Sequence, residues 1–318
     1  MNRRKVLVLS LVAAAMLSTG CTRDKGETKE TFINALTKQS EIKQYTFAGS
    51  ADLDIGLAAP NANSQAATAS LISMFGKSKW SWEGASAAEP FRMEGRYTLN
   101  TGDTSFTFPL IFRDDVIYMS VPLLNKKDEY FSFDLKKLGA SQSPSGSSNL
   151  KNINIVVSRS LQTMVSDFDY QWFKKMKKPT ELMDGSKGTL IRVEITDKNK
   201  AALTEKVKIQ LAAIINDWET QGLMTKGQAV NFKTGADKVF AVTGGEFTLV
   251  IDEAGFIRTE TINVDYSAGG GTEAAQPRHF YYRQEFKGIN AAPDFKLDTP
   301  KHIRPIDEVL ELLKDDSK

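Results

Sequence analysis

Two aspartates come closest to a reactive pair in this chain. Asp52 and Asp54 are two positions apart in an alternating stretch, so their side chains share the outer face of a predicted strand. Paired carboxylates can divide one proton between them or bind a cation weakly. A solvent-exposed strand face carries the same residues without any chemistry, and this second interpretation is the one we favour.

The remaining reactive residue types are scarce. The chain has two histidines, His279 in a predicted strand and His302 in a proline-rich tail, and one cysteine. A zinc site needs several His or Cys ligands at defined spacing. No G-x-S-x-G nucleophile elbow occurs, and the glycine runs at 243–245 and 269–271 lack the Lys-Ser/Thr of a phosphate-binding loop. We therefore expect no catalytic residue, no metal and no cofactor.

The single cysteine, Cys21, follows a three-part segment. A basic stretch, Asn2–Lys5, precedes an apolar run, Val6–Leu17, and then three small residues. The run is too short to span a bilayer as a helix, which takes about 20 residues, and this order is typical of a secretory signal peptide. Residues 17–21, Leu-Ser-Thr-Gly-Cys, resemble the lipobox of bacterial lipoproteins, with the leucine one position earlier than usual.

The lipobox resemblance implies cleavage before Cys21 and a diacylglyceryl group on its thiol. It predicts a signal peptide over 1–20, a lipidated cysteine with a polar tether over 21–30, and a single domain over 31–318. The mature protein is then held by its lipid at the extracytoplasmic face of the bacterial cell membrane. Lipidation also explains why a secreted chain keeps one unpaired cysteine.

The net charge gives no reason to expect a nucleic-acid partner. The whole chain carries 41 Lys and Arg against 39 Asp and Glu, a formal net charge of +2. Loss of residues 1–20 removes Arg3, Arg4 and Lys5 with no acidic residue, which leaves −1. A basic surface excess is the usual electrostatic sign of nucleic-acid binding, and it is missing here.

Hydrophobic periodicity predicts an α+β fold with one large antiparallel sheet. The two runs of strands could form two small domains; we favour one sheet, because neither run alone has enough strands to cover its own face. Helices are predicted over 27–40, 153–176, 203–218 and 306–313, the third with Asp197 as its N-cap. Strands are predicted over 45–55, 79–83, 91–99, 106–112, 116–121, 130–135, 189–195, 239–251, 256–266 and 279–286.

Aromatic and methionine residues recur on one face of these elements. If the helices cover the sheet completely, they form an ordinary core; if the sheet curls beneath the helices, they line a hydrophobic cavity. Periodicity leaves both arrangements open. The candidate lining residues are Tyr45, Phe47, Trp80, Trp82, Phe91, Met93, Phe106, Phe108, Phe112, Met164, Phe168, Trp172 and Trp218.

A cluster of lysines forms the one concentrated positive patch. Lys174, Lys175, Lys177 and Lys178 fall at the end of the predicted helix 153–176, where cations complement the helix dipole. Contact with anionic head groups or cell-wall polymers is the functional alternative.

The layout as a whole resembles lipoproteins of the LolA/LolB and LprG/LppX type, and Gram-positive lipoproteins of similar layout. The resemblance rests on the lipobox, the tether, the helix that leads into residues 40–49, and strand pairs such as 116–134 and 247–256. It covers about residues 27–290 and implies a large curved antiparallel sheet, an unclosed β-barrel with helices packed across one face. In that family the cavity holds acyl chains and there are no catalytic residues. Two loops, 60–68 and 139–148, are additional to that layout.

Three functions follow from these observations. The first is a membrane-anchored, non-enzymatic lipoprotein that binds a hydrophobic small molecule, a lipid or a lipidated partner in a cavity. The second is a scaffold or sensor lipoprotein that binds another envelope protein through its surface. The third, an enzyme, would use Asp52 and Asp54, and we expect it least.

Overall fold

The computed structural model describes residues 26–54, 77–101, 104–120, 125–134, 153–221, 224, 226–237, 240–268 and 276–306. The predicted signal peptide, Cys21 and most of the tether lie outside the described residues. So do the loops 60–68 and 139–148, the glycine run 269–271, and all but the first residue of the predicted helix 306–313.

Helices and strands follow the predicted order closely. The described residues contain four helices: α1 (26–38), α2 (Ile153–Ser166), α3 (Lys200–Thr220) and α4 (Lys226–Asp237). They also contain β1 (Gln44–Asp54), β2 (Lys77–Ala88), β3 (Phe91–Thr101), β4 (Thr104–Arg113), β5 (Val116–Met119), β6 (Glu129–Asp134), β7 (Phe173–Lys175), β8 (Thr180–Glu181), β9 (Lys187–Ile195), β10 (Phe240–Asp252), β11 (Ile257–Ala268), β12 (Gln276–Lys287) and β13 (His302–Pro305).

All of these strands belong to one sheet, which is not closed. Its order is β13-β6-β5-β4-β3-β2-β1-β12-β11-β10-β9-β7, with β8 also paired to β9. Strand β1 lies between β2 and β12 and so joins the two runs of strands. Every pairing is antiparallel except that of β13 with β6. The predicted α+β class and the shared sheet are confirmed.

The helices cover one face of the sheet, which we call the inner face. Phe32 of α1 is fully buried and makes edge-to-face contacts with Phe173 at 5.2 Å and Phe247 at 5.1 Å between ring centroids. Leu36 of α1 and Leu203 of α3 are buried in the same cluster. Burial of this apolar surface fixes α1, α2 and α3 over β7, β9 and β10.

The opposite, outer face holds a C-terminal strap, residues 291–301. Glu94 of β3 is only 4% exposed, and its carboxylate accepts the backbone N–H of Leu297 at 3.1 Å and that of Lys296. Arg92 donates to the Leu297 carbonyl at 2.9 Å and stacks on Phe295, with its guanidinium carbon 4.2 Å from the ring centroid. These contacts guide the strap to β13 at the edge of the sheet.

The predicted helix 153–176 is wrong beyond Ser166. The side chain of Asp169 accepts the backbone N–H of Gln171 at 2.8 Å and so caps a short 3₁₀ turn, which turns the chain into β7. Lys174 and Lys175 lie in that strand, and Lys174 pairs with Glu194. The lysine cluster therefore does not end a helix, and the proposed dipole interaction falls away.

Asp197 is not the N-cap of α3, because the helix begins later. Asn199 precedes the first helical residue and closes the preceding turn. Its side chain accepts the N–H of Thr196 at 2.7 Å and donates to the carbonyl of Glu194 at 2.8 Å. The sequence reasoning also missed α4, β7, β8 and β13; the strands are two to four residues long, too short for a periodic signal.

Candidate functional site

One row of side chains crosses the inner face from the open end of the sheet to the helix-covered end. Antiparallel partners point to the same face, so the register defines the row without ambiguity. Its helix-covered end is aliphatic, whereas its middle holds two buried polar residues and its open end two aromatic rings. From β3 to β9 the row reads Tyr97, Trp82, Gly49, Gln284, Glu260, Leu249 and Ile191.

Glycines give the large rings of this region a place to lie. A Cβ atom on Gly49 would stand 2.5 Å from the indole of Trp82, so the indole lies flat across β1. A Cβ atom on Gly84 would stand 2.1 Å from the carbonyl oxygen of Glu94 and 2.7 Å from the ring of Phe47. Both positions therefore require glycine for close approach rather than for backbone conformation.

Between these rings and the helices lies a cavity of about 190 Å³. Val157 of α2 lines it and keeps 41% of its surface exposed, so the cavity opens to solvent beside α2. The lining residues are Leu36, Gln39, Ile42, Tyr45, Phe47, Trp82, Met93, Tyr97, Val157, Ser158, Leu161, Ile257, Glu260, Tyr282, Gln284 and Phe286.

Glu260 is the one charged side chain of that lining. It is 6% exposed, and no described residue forms a hydrogen bond or an ion pair with its carboxylate. A β-bulge at Arg258 shifts the register, so that both Ile257 and Glu260 face the cavity. Burial in these surroundings raises the pKa of Glu260 to about 7.

The neighbouring amides are already engaged. The indole N–H of Trp82 donates to Oε1 of Gln284 at 2.7 Å, which fixes the orientation of both side chains. Oε1 of Gln39 accepts the backbone N–H of Ile257 at 3.2 Å. The amide nitrogen of Gln284 donates to the carbonyl of Glu285 at 3.3 Å, so Glu260 receives no hydrogen bond from this neighbour.

Two tyrosines of the cavity, Tyr97 and Tyr282, stay neutral over the physiological pH range. Burial raises the pKa of Tyr97 to about 12 and also raises that of Tyr282, where the nearby Glu260 charge adds to the effect. The ring of Tyr282 lies 5.9 Å from that of Trp82, tilted by 32°. The cavity thus presents neutral, electron-rich rings around a single ionisable carboxyl group.

Four of the residues predicted to line a cavity do so: Tyr45, Phe47, Trp82 and Met93. The other sheet residues among them share the inner face but lie away from it. Phe108 continues the row on β4, with its ring 6.0 Å from that of Tyr97. Trp80 and Phe106 lie one inward position further along their strands, both opposite Leu99. Phe91 and Phe112 form a ring pair at 4.6 Å near the strand ends.

The predicted helix-side residues belong to other contacts. Phe168 is buried in the closed core, and Met164 and Trp172 pack against it. The cavity is lined by residues earlier in α2, namely Val157, Ser158 and Leu161. Trp218 of α3 donates its indole N–H to the Ser160 hydroxyl at 2.9 Å and so joins α3 to α2.

The candidate reactive residues are not assembled into a site in the described ranges. Asp52 pairs with Lys79 at 3.3 Å on the solvent-exposed outer face, and the side chain of Asp54 lies outside the described residues. His279 contacts Asp265 at 2.8 Å at an exposed position, and His302 is exposed in β13. Within the same ranges, no three His, Cys, Asp or Glu side chains gather in a group that could hold a metal ion.

Sequence reasoning missed Glu260, Gln284 and the glycines beneath the rings. A signal for the polar pair was present: Glu260 is in phase with Ile262 and Val264, and Gln284 is in phase with apolar partners on its own strand. Charged or amide side chains at inward positions of a half-buried strand mark a buried polar site. The glycines carry no such signal, because their role depends on cross-strand register.

In the part of the chain that the structure describes, no helix combines the length and the apolar character that crossing a membrane requires.

Comparison with known proteins gives no family for this chain. No family model matches it, and no curated protein does. Among solved structures, a lipovitellin structure described by its lipid–protein interactions matches 82% of this chain and 26% of its own, at 7% identity and a TM-score of 0.23. An inactive mutant of CurK dehydratase matches 77% of this chain and 76% of its own, at 10% identity and a TM-score of 0.12. The chain spans about a quarter of the lipovitellin chain. Neither similarity supports a conclusion about the fold or the function of this protein.

Proposed function

We propose that this protein is a membrane-anchored, extracytoplasmic lipoprotein that binds a hydrophobic ligand, or the lipid of a lipidated partner, without catalysing a reaction. The observation that carries the proposal is the cavity between α1, α2 and the aromatic end of the inner face. Membrane attachment rests on the sequence alone, through the lipobox-like segment that ends at Cys21.

The lining of the cavity supports binding of an apolar group. Aromatic rings and methionine bury large apolar areas and adapt to irregular shapes. A volume of about 190 Å³ is below the roughly 300–1,000 Å³ of pockets that enclose a drug-sized ligand. The cavity therefore suits a small molecule or one end of a longer molecule that leaves past Val157.

Exposed apolar side chains favour a second function, binding of an envelope protein. Ile209 of α3 is 65% exposed and Phe232 of α4 is 60% exposed, and these two helices pack against each other. Exposed apolar side chains that form a continuous patch are a mark of protein interaction sites. The cavity plays no part in this alternative.

Native mass spectrometry of the full-length chain with Cys21→Ser tests the first function. After incubation with membrane lipid extract and removal of detergent, we expect an added mass of ligand size that disappears on denaturation. Val157→Trp, which adds bulk at the mouth of the cavity, should abolish the added mass. Ile209→Trp, an equally bulky change at an exposed position on α3, should leave it unchanged.

A bare protein mass in all three proteins would exclude the cavity function. An added mass that Ile209→Trp removes and Val157→Trp keeps would move the binding site to the α3–α4 surface.

A further inference from the structure

We infer that the cavity binds an alkylated ammonium group, with the carboxylate of Glu260 as its counter-ion and the surrounding rings as its walls. This inference rests on the proposed ligand-binding function and names the chemistry that the ligand must present.

The first argument is the isolation of Glu260. Its side chain is 6% exposed and lines the cavity, and no described residue donates a hydrogen bond or a positive charge to it. A buried charge is normally paired, since leaving water costs it far more than a neutral group. No Lys, Arg or His is among the cavity-lining residues. A bound cation is the partner that this arrangement lacks.

The second argument is the nature of the walls. Trp82, Tyr97 and Tyr282 line the same cavity. Tyr45 lines it too, with its ring 5.5 Å from that of Phe286. The faces of such rings attract cations, and several rings around one charge form the aromatic cage that recognises quaternary ammonium groups. The cavity joins such rings to one carboxylate.

The third argument concerns hydrogen bonding. A primary ammonium group has three N–H donors, each of which needs an acceptor when it is buried. The two amide oxygens that line the cavity, on Gln39 and Gln284, already accept bonds from Ile257 and Trp82. Ser158 and the tyrosines also bring hydroxyl acceptors to the lining, so acceptor number alone does not select the ligand. A fully alkylated ammonium group needs no acceptor, and the rings around the carboxylate favour it.

The ionisation of Glu260 couples binding to pH. The titratable side chains that face the cavity are Glu260 from β11, Tyr97 from β3, Tyr282 from β12 and Tyr45 from β1; α1 and α2 contribute no charged group to the lining. In the empty cavity at low pH, the carboxyl group of Glu260 is neutral. It must lose its proton before it can act as the counter-ion of the bound cation. Affinity should therefore rise as pH increases through about 7, the pKa of Glu260 in the empty cavity.

Isothermal titration calorimetry at pH 8 tests the inference. Choline and its uncharged tert-butyl isostere are titrated into the full-length Cys21→Ser chain and into the same chain with Glu260→Gln. We expect choline to bind at least about tenfold more tightly than the isostere, because only choline makes cation–π and ion-pair contacts. Glu260→Gln should remove that preference, and Val157→Trp should abolish binding of both compounds.

A matched titration with a short-chain phosphatidylcholine separates two sources of the same group. Binding of this lipid that is tighter than that of choline and is weakened by Glu260→Gln would assign the site to a lipid head group. Tighter binding of choline would assign it to a free small molecule, and either result supports the inference. Equal binding of choline and the isostere, unchanged by Glu260→Gln, would overturn it while leaving an apolar ligand in place. No binding of choline, with a lipid mass still seen by native mass spectrometry, would overturn it as well.

Discussion

The inner face of the sheet has a closed region and an open region, built on the same strand register. In the closed region, over β7, β9 and β10, Phe32 and Leu249 are fully buried among the helices. In the open region, over β1, β2, β3 and β12, large rings lie on glycines and leave a cavity of about 190 Å³. One row of paired residues runs through both regions, so the strand register alone does not distinguish them. The regions differ in the side chains of the row and in the helices that cover β7, β9 and β10.

The boundary between the two regions falls at Glu260. Its row neighbour on β10, Leu249, belongs to the dry core, whereas its neighbour on β12, Gln284, lines the cavity. A carboxyl group at this point prevents the core from extending further, because a fully dry environment would leave it without any partner. The sequence thus sets where close packing ends.

Truncation of a core ring gives the largest expected contrast between the regions. Phe32→Ala should lower the free energy of unfolding by about 3–5 kcal/mol, since it leaves a cavity in close-packed surroundings. Met93→Ala, at a half-buried wall of the existing cavity, should cost less than half as much. Urea denaturation of both variants makes the comparison. Equal losses would show that the open region is packed as tightly as the closed one.

Removal of the buried charge should change how stability depends on pH. The pKa of Glu260 is raised from 4.5 to about 7, so the folded state binds the extra proton. This contribution is complete below pH 4.5 and is lost as pH rises through about 7. Glu260→Gln should remove the loss, so that its stability relative to the unchanged chain rises by on the order of 3 kcal/mol across this window.

Urea denaturation at a series of pH values between 4 and 8.5 measures that difference, with Glu285→Gln as the matched carboxylate control on the neighbouring strand. A constant difference between Glu260→Gln and the unchanged chain would show that the carboxylate has a partner in solution.

The outer face provides a buried carboxylate of the opposite kind. Glu94 accepts the backbone N–H groups of Lys296 and Leu297. Glu94→Gln therefore weakens existing hydrogen bonds, whereas Glu260→Gln removes none. We expect a loss of about 1–3 kcal/mol at neutral pH, as for a charge-assisted hydrogen bond in a buried position. Hydrogen exchange should accelerate at these two amides. Unchanged exchange at these amides would show that Glu94 does not hold the strap in place.

The exposed pair on the outer face should have the smallest effect. Lys79 and Asp52 are 73% and 41% exposed, and their charged groups are 3.3 Å apart. Lys79→Ala should change stability by less than about 1 kcal/mol, because solvent screens the pair. Choline binding should not change. A marked loss of binding would give the paired aspartates a role that their position does not suggest.

The strand order and the shared sheet could be predicted from the sequence, because alternation survives in strands such as β3 and β11 even where they carry charges. The site could be predicted only in part. Tyr45, Phe47, Trp82 and Met93 stand out as aromatic or sulfur-containing residues at inward positions. The rest depends on distant pairing: which glycine lies under which ring, and which strand brings Glu260 beside Gln284, are set by register between segments far apart in the chain.

Helix α2 shows why periodicity predicted a helix that is too long. Trp172 continues the apolar spacing of the helix, so periodicity alone extends it past Ser166. The chain instead turns at Asp169, where a local side-chain bond to the Gln171 N–H competes with the helix. The turn places Phe168 in the closed core and away from the cavity.

The most direct test of the two-region account is the indole N–H spectrum of the protein by two-dimensional ¹H–¹⁵N NMR, recorded with and without choline. The four tryptophans are Trp80, Trp82, Trp172 and Trp218. We predict that the signal of Trp82, identified by Trp82→Phe, shifts most, because its N–H donates to a cavity-lining amide. The signals of Trp172 and Trp218 should stay in place. A fixed Trp82 signal, or equal shifts of all four, would contradict binding of the ammonium group in the open region.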